Sequence, residues 1–365
     1  MTKHTATITW VTYCNFGTFL QAYALQRYIE KFGCSNMILD DSTMIVSRIS
    51  LKYELKKFLM YIYDIGYRRY ESSKKRADKM FADFKRSVLN VDSSILDLTS
   101  VSVAYDVFIC GSDQIWNPFS LNSHNAGFYF AAFTKKKKIA YAPSIGVSEV
   151  PLQYKLKLKE LTNEFSFLSA REQQGVDILR ELTGKEVTKV VDPTLLLDKD
   201  QWNELLPKDL PCKGKYILAY FLTPNPIFIK SASNYARVRG LKLKLFFTDK
   251  TYYNLDCELI TAGPIEFLNY VKNAECIFTD SFHGSIFASI FHTQFFTFRR
   301  FKETVKSQNS RVENLLEMMG ISERLLDEDN YDKVNELPDI DFAQVDSNLV
   351  PVIRRSKEYL KKALR

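Results

Sequence analysis

Histidine is scarce in this chain, with four in 365 residues (His4, His124, His283 and His292). None stands at ligand spacing from another or from a cysteine. The six cysteines, at 14, 34, 110, 212, 257 and 276, form no C-x-x-C pair. That scatter argues against a zinc site and a disulfide framework and fits reduced thiols. No apolar run reaches eighteen residues, so no membrane-crossing helix is expected. The opening "MTKHTATITWVTYCNFGT" lacks the apolar centre of a secretory signal, so a cytoplasmic protein is expected. There is no G-x-S-x-G elbow and no Walker A loop, and the glycine loop "NFGT" does not match G-x-G-x-x-G. A serine-hydrolase elbow, a P-loop and a dinucleotide fingerprint are therefore without support.

What is present fits a globular protein. Hydrophobic residues at 46% with 25% charged residues can fill a core, and 365 residues suit two domains. The net charge of +7 is unevenly placed. From Lys52 to Arg86 there are eleven Lys or Arg against five Asp or Glu, interleaved with Phe58, Leu59, Tyr61, Ile62 and Ile65. Such a segment suits a membrane surface or an anionic partner, or else a solvated helical pair with a buried stripe. Charge confined to one segment, with no recognition motif, does not suit nucleic acid.

Periodicity sets strands against helices along the chain. "TATITWVTYCNFGTFLQAYALQRYIEKFG" reads as a strand around Ile8 and Trp10, then a helix with apolar residues at 19, 22, 25 and 29 and a stop at Gly33. "NMILD" is a strand, and the basic segment at about 50–90 an insertion of helices. "YDVFIC" and "KKIAYA" are strands, with "KKKK" at 135–138 read as a solvated loop. "FSFLSA" and "VTKVV" are strands around the helix "EQQGVDILRELTG". "LPKDLPCKGK" reads as a linker. A second alternating set follows, from "YILAYFL" through "ECIFTD", the helix "HGSIFASIFH" and "QFFTF", to closing helices "SRVENLLEMMG" and "VPVIRRSKEYLKKALR". The expected architecture is α/β, with two Rossmann-like domains facing a cleft, residues 1–205 and 206–345, and a C-terminal helix at 346–365 packing back on the first domain.

In open α/β sheets, ligands sit beyond the carboxyl ends of strands. The loops there are "NFGT", "GSDQ", "APSIG", "SARE" and "TDSFHG". His283 falls at a helix start, where free N–H groups and the helix dipole favour an anion; it is either an anion-holding proton donor or a buried polar group behind a Ser281 cap. Gly284 lets a ligand approach the backbone. Arg171 is either a bidentate anion binder or an arginine paired with Glu172. Gly111, Ser112, Asp113 and Gln114 either orient hydroxyls or form a turn. Asn15 and Gly17 open a helix. Arg311 in a first helical turn opposes the helix dipole, which an anionic partner explains.

Taken in order, "NFGTFLQAYALQ", "GSDQIWNP", "YAPSIG", "SAREQQGVDIL", "VVDPTLLL", "TDSFHGSIFASIF" and "NSRVENLLEMMG" resemble the polysaccharide pyruvyl transferase family over roughly residues 6 to 320. The resemblance implies a fold like the two-domain GT-B glycosyltransferases. It implies transfer of the enolpyruvyl unit of phosphoenolpyruvate to a sugar, giving a cyclic ketal and phosphate. It associates His283 with phosphoenolpyruvate and brings Arg171 in through the Ser-x-Arg-Glu motif. Two positions depart from the pattern: Ser281 where many members have arginine, and Thr18 where many have aspartate. Arg311, with Arg299 or Arg300, is expected to supply the missing charge.

The expected donor site is therefore Arg171, Ser281, His283, Gly284 and Arg311. The expected acceptor site is Asn15, Gly17, Ser112, Asp113 and Gln114. His283 is cast as general acid and Asp113 as base or sugar-orienting group, with phosphoenolpyruvate as substrate and no metal or bound cofactor. The expected acceptor is a lipid-linked sugar of a surface polysaccharide, met on the inner membrane face. A nucleotide-sugar glycosyltransferase and a non-catalytic sugar-binding relative are the alternatives.

Overall fold

The computed structural model describes residues 3–44, 51–93, 98–121, 123, 125–207, 215–300 and 309–365, with backbone alone at 51–53. His124, Cys212 and most of the "LPKDLPCKGK" stretch lie outside the described residues.

The first half contains β1 (His4–Ile8), α1 (Phe16–Glu30), β2 (Ser35–Leu39), α2 (Leu51–Tyr63), α3 (Ile65–Val88), β3 (Val91–Asp92), α4 (Leu98–Ala104), β4 (Val107–Cys110) and β5 (Lys137–Ala140). Then come α5 (Leu152–Asn163), β6 (Leu168–Ala170), α6 (Gln173–Thr183), β7 (Val187–Lys189) and α7 (Lys199–Glu204). The sheet runs β3-β2-β1-β4-β5, every pair parallel. A bridge from Ile139 to Phe167 carries it on toward the β6-β7 pair.

The second half contains β8 (Tyr216–Tyr220), α8 (Pro226–Val238), β9 (Lys242–Phe246), β10 (Glu258–Ile260), α9 (Pro264–Asn273), β11 (Cys276–Thr279), α10 (Phe282–Phe291), β12 (Gln294–Phe298), α11 (Ser310–Met319), β13 (Leu325–Leu326) and α12 (Phe342–Leu364). Its parallel sheet runs β10-β9-β8-β11-β12-β13, the order of a doubly wound nucleotide-binding sheet. The strands β8 and β11 are buried on both faces, which is why they read as unbroken apolar runs.

Aromatic packing joins the two halves. Phe16, the first residue of α1, stacks on Phe267 of α9 at 4.5 Å, and Trp202 of α7 meets Phe287 of α10 edge-on at 4.9 Å. Helix α10 is apolar around most of its circumference and nearly every residue in it is buried, as a helix inside a core must be. Helix α12 crosses back to the first sheet. There Tyr359 Oη donates to Ala140 O at 2.8 Å, and Ser356 Oγ accepts the Val191 N–H at 2.9 Å.

Several sequence expectations need correction. Strand β1 ends at Ile8, so Trp10 lies in the loop above the sheet. Elements β3, α4, α5, α7, β10 and β13 are not expected from the sequence pattern. Strands of two or three residues are too short to show alternation, and α5, "LQYKLKLKELTN", leaves Leu152 and Leu156 exposed, so it has no clean apolar face. Helix α12 starts at Phe342, capped by Asp341, well before the expected "VPVIRR" start, and carries Pro351 inside it. The "KKKK" run is not a solvated loop: Lys137 and Lys138 belong to β5, and the buried Lys138 reaches out to Glu164 at 2.8 Å. The outward apolar face of α2 also departs from an ordinary buried stripe, whereas α3 buries Phe81 and Phe84 against α1.

Replacing Ser356 with alanine leaves the buried Val191 amide without its acceptor. The expected loss is about 1–3 kcal/mol in a urea melt, and an unchanged midpoint would show that this contact does not hold α12.

Candidate functional site

Each sheet reverses its winding direction once, between β1 and β4 in the first and between β8 and β11 in the second. The loops leaving those strands face each other across a cavity of about 460 Å³. Trp10, Tyr13 and Asn15 come from the loop after β1, Asp113 and Gln114 from the loop after β4, and Asp280 and His283 from the end of β11. Ligands of open α/β sheets bind at such crevices.

His283 is the second residue of α10 and is buried. Gly17 of α1 packs directly on its ring, and a Cβ at position 17 would stand 1.9 Å from His283 Nδ1. On the other side, His283 Nε2 lies 3.4 Å from Asp192 Oδ2. Asp192 follows β7 and has no exposed side-chain surface. Its Oδ2 accepts from Arg171 Nη1 at 2.8 Å and Ser112 Oγ at 3.4 Å, and its Oδ1 accepts the Thr194 N–H at 3.0 Å and Oγ1 at 2.7 Å. Burial acts to raise the Asp192 carboxyl, but the His283 ring, the Arg171 guanidinium and the Thr194 amide outweigh it and hold the group below its usual range.

Arg171 is buried just beyond the end of β6. Its Nε pairs with Glu172 at 2.9 Å, and its guanidinium carbon lies 4.5 Å from the centre of the Phe282 ring. Burial acts to lower it, and the charges of Glu172, Asp192 and Asp113 outweigh this and raise it. Arg171 lines an adjoining cavity of about 630 Å³, separated from the first by Phe282 and Arg311. It therefore reaches His283 through Asp192.

Asp113 lies in the first cavity with φ at 64°, the left-handed region. Its Oδ2 accepts from Thr18 Oγ1 at 2.7 Å and its Oδ1 from the Gln114 N–H at 2.8 Å. Thr18 thus places a neutral donor beside the carboxylate, at the position where many members of the resembling family carry aspartate. Asn15 caps α1 by accepting the Thr18 N–H at 3.3 Å. The cations come from the second half. Arg311, second in α11, has its guanidinium pushed down to about 10 by burial and by the like charge of Arg171, and Arg300 adds to that pressure. Arg300 donates to Thr223 Oγ1 at 2.7 Å. Arg299 also lines the cavity but is bound to Glu313 and lies 3.9 Å from Asp327.

Of the expected residues, His283, Ser281, Asp113, Gln114, Asn15 and Arg311 share the first cavity, with Gly17 against the histidine ring. Ser112 is fully buried, its hydroxyl donating to Ala142 O at 2.9 Å and its amide to Gln21 Oε1 at 3.2 Å, so it supports the loop from below. Ser281 Oγ accepts the Gly284 N–H at 3.2 Å and so caps α10. A Cβ at Gly284 would stand 2.6 Å from Thr279 Oγ1, so the small residue meets the strand end there. Two residues of the site receive no role from the sequence. Asp192 sat in the quoted "VVDPTLLL", where Asp-Pro read only as a strand end. Asp280 sat inside "TDSFHG", and its position at a strand's carboxyl end was the available signal. Among the described residues, no group of three or more His, Cys, Asp or Glu is placed to hold a metal ion, and no helix is long and apolar enough to cross a membrane.

Asp280 is buried, and its carboxylate accepts the Leu222 N–H at 2.6 Å and the Thr223 N–H at 3.1 Å. Burial raises it from the usual 3.8 to about 6, against the pull of the Leu222 amide and Arg300. A pKa raised in the fold favours the protonated form. Its contribution to stability is whole below 3.8 and is lost as the pH rises through about 6. Asp280→Asn is expected to flatten the melting temperature against pH over that window, worth roughly 3 kcal/mol in the wild type. A variant with the wild-type slope would mean that Asp280 ionises normally.

The family model for polysaccharide pyruvyl transferase matches residues 15–300. No curated protein is similar enough in sequence to count as a match. Among solved structures, the chain is similar to a Listeria monocytogenes protein provisionally assigned as a UDP-N-acetylglucosamine 2-epimerase, with a TM-score of 0.54 and 12% identity over 100% of this chain and 95% of that one. It is similar also to a second UDP-N-acetylglucosamine 2-epimerase, with a TM-score of 0.52 and 13% identity over 100% of this chain and 95% of that one. At such identities the likeness shows the fold, which is GT-B-like. The match across 15–300, well over half of the sequence, shows that this chain belongs to the polysaccharide pyruvyl transferase family.

Proposed function

We propose that the chain transfers the enolpyruvyl unit of phosphoenolpyruvate to a sugar of a surface polysaccharide or its lipid-linked precursor, forming a cyclic ketal. The observation that carries this is the meeting of two helix N-termini, α1 and α10, with Arg311 and Arg300 around His283. Phosphoenolpyruvate holds about −1.5 to −2 on its phosphate and a further charge on its carboxylate. Helix N-termini and guanidinium groups are the partners such an anion needs.

In the proposed reaction two acceptor hydroxyls add to C2 of the donor. One hydroxyl proton balances the proton gained by the methylene carbon, which becomes a methyl, and the other leaves with phosphate as the C2–O bond to phosphorus breaks. His283, oriented by Asp192, delivers the proton to the methylene carbon. Asp113, steadied by Thr18, takes the proton of the attacking hydroxyl. Arg171 keeps Asp192 ionised and so acts as a positioning residue. A cavity of about 460 Å³ exceeds what the small donor fills and leaves room for a sugar ring.

The test is phosphate release from phosphoenolpyruvate with lipid-linked acceptors containing galactose, glucose or mannose. The expected result is acceptor-dependent release that His283→Ala lowers by about 10²–10⁴-fold, the usual worth of a general acid. No release with any acceptor, together with thermal stabilisation by a nucleotide sugar, would transfer the assignment to a glycosyltransferase.

A further inference from the structure

Helix α2 is amphipathic, and it faces the wrong way for a helix that serves only its own fold. Leu55, Phe58, Leu59 and Ile62 fall at i, i+3, i+4 and i+7, one stripe of a helix. All four are between 42% and 60% exposed. Its less exposed residues are Lys57 and Met60, on the opposite side. Tyr61, Tyr63 and Ile65 extend the outward apolar surface, with Tyr63 82% exposed. A contiguous exposed apolar stripe of this kind marks an interaction surface.

We propose that this stripe docks the protein on an anionic lipid surface. Charge selects that occupant. Lys56, Arg68 and Arg69 are exposed beside the stripe, within the segment of surplus positive charge. Two copies of such a face would repel, whereas acidic headgroups attract it. Tyrosines beside an apolar stripe suit the headgroup boundary, where one side of the ring is wet.

The next helix, α3, on which α2 packs, is tied to the site. Asp64 caps α3 and pairs with Lys250 at 3.0 Å, Ser73 Oγ meets Thr261 Oγ1 at 2.5 Å, and Phe81 stacks on Phe16. Tyr70, Ser73, Lys74 and Asp78 line a cavity of about 250 Å³ that shares Cys14, Asn15 and Leu222 with the His283 cavity. These α3 residues lie about 8–20 Å along the helix from its start, at 1.5 Å per residue. A surface gripped by α2 therefore holds the mouth of the cleft within reach of a headgroup. The inference concerns lipid docking and stands whether or not the pyruvyl transfer reading holds.

The test is flotation of the full chain with vesicles of phosphatidylcholine alone and of phosphatidylcholine mixed with phosphatidylglycerol. Wild type is expected to float with the mixed vesicles. Lys56→Glu should weaken binding by roughly fivefold, and Phe58→Asp/Ile62→Asp by at least about tenfold per residue. Circular dichroism of both variants should match wild type, since the replaced groups face solvent or lie at the helix margin. Three results would each overturn the proposal: no flotation of wild type, variants that float as wild type does, or a wild-type dimer in solution that Phe58→Asp/Ile62→Asp dissociates. Failure of phosphate release alone would leave it intact.

Discussion

A carboxylate with no exposed surface must be surrounded by donors, and Asp192 draws them from several separated segments of the chain. Arg171 arrives from the end of β6, Ser112 from the loop after β4 and Thr194 from the next turn of the chain, while the His283 ring of α10, in the second sheet's domain, stands 3.4 Å away. The last contact crosses between the two halves, so the ionised state of Asp192 and the position of the histidine depend on how those halves pack. Removing any one donor would leave a buried charge short of a partner, which is why the motifs that seem unrelated along the sequence have to occur together.

The apolar interface makes that crossing rigid. Phe16 stacks on Phe267 immediately before Gly17 meets the His283 ring, so the aromatic contact sets the spacing that the ring requires. Helix α10 is held within the core along its length, and its N-terminus can therefore present His283 without moving. The same packing brings the N-termini of α1 and α10 to one cavity, where the cations of the β12 end and α11 complete a surround suited to an anion. Chemistry and domain packing thus rest on the same few residues.

Much of the fold was legible in the sequence because parallel strands buried on both faces, such as "YILAY" and "CIFT", stand out as short apolar runs between helical patterns. Short edge strands did not, since β10 and β13 have too few residues to show a period. Lys138 misled because a charged residue in a buried strand can extend its stem to a carboxylate at the surface. In the site, the loops that carry His283 and Asp113 could be found from their place after strands. What each side chain does there could not. Ser281 and Arg171 stay open in the sequence between a ligand and a cap or an ion pair, and Ser112 between a ligand and a turn; the contacts show that a cap, a loop support and an ion pair already engage them. Asp192 was hidden for the complementary reason: its partners lie up to 91 positions away at His283.

The contact between Gly17 and His283 is the most direct place to test this account, because one methyl group there reaches a histidine in the other domain. Steady-state phosphate release by Gly17→Ala, beside wild type and with circular dichroism as a check on folding, is the measurement. The account predicts a folded protein whose kcat falls by about 10²-fold, the usual consequence of displacing a reacting group by an ångström. A folded Gly17→Ala enzyme with wild-type kcat would contradict it.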